Sequence, residues 1–196
     1  AAALAATVSA TQNVAIGSAA MTVATAGDQN VAVGTNAMDA STTSTTNVSV
    51  GYNSLGATTT GSANVAVGAN AMAATVSATN SVAIGKDAML VATAGDQNVA
   101  IGATAMDVST TSTNNVAIGF SALGATTTGS QNVAIGTNAM AATVSAANSV
   151  AIGMNAMLVA TAGDQNVAVG VVAMDASTTS TTNVAVGYNS LGATTT

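Results

Sequence analysis

Apolar and polar positions along this chain follow one pattern. Asn-Val-Ala-Ile-Gly at Asn13 to Gly17 returns, lightly varied, every 17 residues to the end. Aligned on its first residue, units start at Asn13, Asn30, Asn47, Asn64, Ser81, Asn98, Asn115, Asn132, Ser149, Asn166 and Asn183, with no insertion or deletion. Position 2 of each unit is Val and position 4 is Val or Ile. Period-two alternation of β-branched residues is a strand signal, so Val14, Ile16, Val31, Val33, Val48 and Val50 are expected to face a core. Position 9 is Met or Leu (Met21, Met38, Leu55), position 11 is Ala or Val, and position 13 is Thr or Val. That column set predicts a second strand of the same parity, with positions 9 and 11 joining positions 2 and 4 in the core. The Ala- and Met-rich stretch from Ala88 to Val91 suits a helix locally, but a Gly and a β-branched pair recur within every unit and helical spacing does not persist.

Between the two expected strands stands a Gly at position 5 (Gly17, Gly34, Gly51 and onward), where a turn needs positive φ or close backbone approach. The opposite corner carries Ala-Gly-Asp-Gln, Thr-Ser-Thr-Thr, Thr-Gly-Ser or Ser-Ala-Thr, which is turn chemistry without Pro. The first-position column (Asn13, Asn30, Asn47) suits a corner ladder of amides bonded to one another and to the turn backbone. The expected fold is all-β: a parallel β-solenoid, or β-roll, of about 11.5 coils with two short strands per coil. Residues 1–196 form a single array, read as a window of a longer fibre. At ~4.8 Å per coil it is a rod of roughly 55 Å. A slower period of 68 residues, seen in Ala-Ala-Thr-Val-Ser-Ala at Ala5, Ala73 and Ala141, groups the units into four-unit cassettes.

Composition narrows the chemistry. Apolar residues make up 49% of the chain but are mostly Ala and Val, with one Phe, two Tyr and no Trp, so the core must be thin. The charged residues are seven Asp and Lys86, which excludes a phosphate-binding surface and hence nucleic acid. No apolar run approaches the ~20 residues of a membrane span. With no His, Cys, Glu or Arg, neither a nucleophile–base pair nor a close carboxylate pair can be assembled, so no enzyme is expected. Equivalent Asp residues recur 68 apart (Asp28, Asp96, Asp164; Asp39, Asp107, Asp175), too far for shared ligation, and the Met column lacks His or Cys beside it. No metal or other cofactor is expected. Absence of Cys is compatible with an extracellular fibre held by hydrogen bonds.

Position 3 is Ala in every unit but one, where it is Ser49. Lying on the strand face opposite Val and Ile, Ala15, Ala32, Ala66, Ala83 and Ala100 are expected to line a homo-oligomer axis. Tyr52, Phe120 and Tyr188 share position 6 and are expected as surface contacts or as rings lying over a turn. Positions 12 and 14, rich in Ser and Thr, are expected to point outward.

Asn-Ser-Val-Ala-Ile-Gly at Asn80 to Gly85 and Asn148 to Gly153, with Asn-Val-Ala-Val-Gly elsewhere, resembles the head repeat of YadA-like trimeric autotransporter adhesins across all 196 residues. The units from Asn47 to Ala63 and Asn115 to Gln131 are similar to repeats of phage tail fibres. The resemblance implies a left-handed parallel β-roll, a homotrimer, and an extracellular place on a virion fibre or bacterial surface. The function expected is a structural shaft, a stiff spacer for attachment, with a glycan or protein receptor engaged by regions outside this window. Ice-binding and carbohydrate-binding solenoids are the alternatives.

Overall fold

In the computed structural model, which describes residues 3–4, 9–159, 163–176 and 179–192, the chain is an all-β parallel solenoid. Each unit contributes one strand of three residues: β1 (Val14–Ile16), β2 (Val31–Val33), β3 (Val48–Val50), β4 (Val65–Val67), β5 (Val82–Ile84), β6 (Val99–Ile101), β7 (Val116–Ile118), β8 (Val133–Ile135), β9 (Val150–Ile152), β10 (Val167–Val169) and β11 (Val184–Val186). The strands form a single sheet in sequence order, every neighbouring pair parallel and in register, so that Val14 pairs with Val31 and Val31 with Val48. At ~4.8 Å between neighbours, the first and last strands stand about 48 Å apart.

The second expected strand does not form. Positions 7 and 9 both take left-handed backbone, as in Ala19 (φ 56) and Met21 (φ 51), and so does position 17, as in Gln29 (φ 59). Two left-handed residues in alternation curl the chain instead of extending it. An isolated bridge between Val91 and Val108 is the described remnant of strand pairing on this side. Coils nevertheless stay bonded to both neighbours there. The Met21 amide donates to Ala37 O (3.0 Å), Asn36 donates to Ser18 O (3.0 Å), and Gln29 donates to Thr11 O (3.1 Å). At these positions the backbone outside the sheet is paired coil to coil.

Strand polarity is the reverse of the expected one. Val14 and Ile16 are 46% and 60% exposed and Val50 is 37%, while Val31, Val33 and Val48 are half-buried on the same outer face. Ala32, Ala66, Ala83 and Ala100 are fully buried, and Ala15 packs against the same core. Ser49 supplies the geometric reason, since its Oγ donates to Ser54 O at 2.9 Å. Position 3 faces position 8 across the interior, and between backbones that close only a methyl or hydroxymethyl fits. Val and Ile are displaced outward by size, and the Ala columns are interior packing rather than a chain-to-chain face.

Met21, Met38 and Leu55 are fully buried and form the large-side-chain column of the core. Beyond position 9 the inward positions recur every third residue: Met21, Ala24, Gly27 and Asn30 are all buried, as are Met38, Ser41, Ser44 and Asn47. Position 12 therefore points inward, not outward, and position 11 turns out, with Val23 44% exposed. Ser41-Thr-Thr-Ser44-Thr-Thr-Asn47 carries this three-residue period openly, with Ser in and Thr out.

Candidate functional site: polar ladders, an outer apolar strip and an aromatic row

Asn13, Asn30 and Asn47 head an internal ladder. The Asn30 side chain accepts from the Asn47 amide through Oδ1 (2.9 Å) and donates from Nδ2 to Ser44 O (2.8 Å). Asn47 repeats this with the Asn64 amide (2.9 Å) and Gly61 O (2.8 Å). Each amide thus ties one coil to the next and closes its own corner, and with Asn30 and Asn47 fully buried it is inaccessible to a ligand. Ser81 keeps half of this function. Its Oγ accepts from the Asn98 amide (3.2 Å) and donates back to Thr79 O (3.1 Å).

Gly17, Gly34 and Gly51 stand at φ 133, 139 and 142. A Cβ added to Gly34 would meet Gly51 O at 2.3 Å, so the column is glycine both for its dihedral and for the close stacking of successive corners.

The carboxylates serve local roles, with the Asp87 charge adding to the rise at Asp107. Asp28 Oδ1 accepts from the Thr11 amide (2.6 Å) and Oγ1 (2.9 Å), Asp96 from the Thr79 amide (2.7 Å), and Asp164 from the Ala147 amide (2.8 Å). Burial raises the pKa of Asp39 and Asp107 above 3.8, against the opposing pull of backbone hydrogen bonds. Asp87 is lowered, chiefly by its hydrogen bond from Lys86 and then by that from Asn70. Among the described residues no three metal-ligating side chains come together, and no pocket opens in the surface. No helix there is long and apolar enough to cross a membrane.

Two outward features remain. The first is the strip of Val and Ile at positions 2 and 4 running along all of β1 to β11, with Ile84, Ile101, Ile118, Ile135 and Ile152 each 37–39% exposed. It is about 48 Å long and ~10 Å wide, on the order of 500 Å², as large as the largest apolar patch of an ordinary monomer. The second is the position-6 row at the Gly corner, where Tyr52 and Phe120 are each 56% exposed and Tyr188 is 80% exposed. More than half of the surface of each of these residues is open to solvent. The Val and Ile columns carry the sequence signal for the strip, and the face they take is opposite to the expected one. Comparison of the chain with protein-family models, with curated proteins and with solved structures gave no match.

Proposed function

We propose that this chain is a shaft segment of an extracellular trimeric fibre, of the phage tail-fibre or bacterial surface-adhesin kind, acting as a stiff spacer for attachment to a host or surface. The observation that carries this reading is the unbroken in-register stack from β1 to β11. Its coils are joined by the sheet, by the turn-side backbone bonds and by the internal Asn column. Bending such a rod lengthens hydrogen bonds on one side of every coil at once, so stiffness is the property the architecture delivers, and it needs no reactive group.

The trimer rests on the outer Val and Ile strip rather than on the Ala columns. A strip of this size, uncharged and repeating along the whole length, is covered when three copies pack it about a common axis. Light scattering on the purified chain is expected to give three times the 18.4 kDa chain mass, and electron microscopy straight rods. A monodisperse monomer would sink the trimer, and visibly bent or collapsed particles would sink the spacer.

A further inference from the structure

We propose that Tyr52, Phe120 and Tyr188 form a lateral binding row for a neutral, extended polysaccharide chain lying along the rod. This goes beyond the shaft reading, since a passive spacer has no need of exposed rings.

The rings share one corner and one spacing. They are 68 residues apart, which is four coils or ~19 Å. Each ring follows a corner Gly (φ 142, 135 and 126 at Gly51, Gly119 and Gly187) and precedes a left-handed residue (φ 53, 55 and 50 at Asn53, Ser121 and Asn189). Those following residues donate their amides to the preceding coil, Asn53 to Thr35 O (2.9 Å), Ser121 to Ala103 O (3.1 Å) and Asn189 to Val171 O (3.0 Å). The backbone under every ring is pinned on both sides, so the ladder sets the spacing.

The partner follows from this chemistry. An exposed aromatic ring offers a flat apolar face with, in Tyr, a polar edge. A pyranose ring is its counterpart, with a C–H face for stacking and hydroxyls at the rim. A partner that meets several such rings on a straight line must itself be straight and periodic. An extended β-linked pyranose chain advances by about one coil spacing per sugar, which brings its rings round to each aromatic in turn. Beside the row, position 7 is polar next to every ring, with Asn53, Ser121 and Asn189, and amides such as Asn53, whose Nδ2 donates to Asn70 Oδ1 (3.2 Å), can hydrogen-bond sugar hydroxyls. The one cation in the row, Lys86, is paired with Asp87, which favours a neutral chain over an acidic one. Stacking on three rings at once multiplies weak contacts into useful avidity.

The test is retention of the intact chain on insoluble cellulose and chitin, with amylose, an α-linked coiling glucan, as contrast. Retention is expected on one or both β-linked polymers and not on amylose. Tyr52→Ala, Phe120→Ala and Tyr188→Ala should each weaken it at least about tenfold, and the triple variant should abolish it. On the unmodified chain, soluble oligosaccharides long enough to bridge two rings should compete far better than those that cover one, a readout independent of how the variants fold. No retention on either β-linked polymer overturns the proposal, as does equal binding of amylose or retention unchanged in the triple variant. A change in particle mass on removing the rings would place them in a chain-to-chain contact and overturn it as well. The trimer is judged separately, by the mass of the unmodified chain.

Discussion

Ala100→Leu tests which face of the strand is inside. Ala100 is fully buried, with Ala83 and Ala117 paired directly to it in β5 and β7. Replacing its methyl with an isobutyl group has nowhere to go but into position 8 of the same coil, Ala105, which is also fully buried. Overpacking of this kind costs about 1–3 kcal/mol. The neighbouring Val99→Thr is nearly isosteric on an outward position that is half-buried in the single chain, so under conditions where the chain is unassociated it should cost under about 1 kcal/mol. With the opposite polarity the order inverts: a larger residue at an exposed Ala stays within about 0.5 kcal/mol, and Thr buried at position 99 leaves a hydroxyl to satisfy at about 1–3 kcal/mol. Urea unfolding followed by far-UV circular dichroism reads the difference. At a slope of ~2 kcal/mol per M, Ala100→Leu should lower the midpoint by about 0.5–1.5 M. Stacked repeats open locally, so amide exchange across β5 to β7 should be run alongside, at concentrations where both variants have the mass of a single chain. A midpoint unmoved by Ala100→Leu but lowered by Val99→Thr would refute the assigned polarity.

Four further outcomes follow from the ladders and the backbone. Asn98→Ala leaves the Asn115 amide (2.9 Å) and Ser112 O (2.8 Å) without partners, which should cost about 2–5 kcal/mol; Asn98→Ser, copying Ser81, should cost about half as much in the same titration. Val172 holds φ 59, where a β-branched residue is strained, between Asn155 and Asn189 of its column, so Val172→Asn should raise stability by about 1 kcal/mol, readable as a higher thermal midpoint. Thr126 buries an Oγ1 with no hydrogen-bond partner, and the isosteric Thr126→Val should stabilise by about 1 kcal/mol; a loss would show that the hydroxyl is satisfied. The raised carboxyls of Asp39 and Asp107 bind protons more readily folded than unfolded. Their cost to the fold is therefore fully present above the raised folded pKa and is relieved as pH falls through it to 3.8. The double variant Asp39→Asn, Asp107→Asn should show a smaller gain in unfolding midpoint than the parent on acidification from neutral pH.

Much of the architecture is legible in the chain itself. An uninterrupted 17-residue period leaves one economical solution, identical coils stacked in register, and the Val-x-Val/Ile pair marks the strand in each. Asn at the corner and Gly after the strand are readable too, because few residues suit those positions. The triplet period of the return path is written in Ser41, Ser44 and Asn47, and the one Ser of column 3, Ser49, is matched by Ser54 in column 8. That pair marks positions 3 and 8 as facing each other across the interior. What local pattern could not decide is the facing of Val-Ala-Ile, since both faces are apolar and alternation has the same period either way. Only the closed coil settles it. Left-handed residues at positions 7 and 9 draw the return path close to the strand, the gap admits Ala and excludes Val, and the larger side chains are left on the outside for another surface to cover.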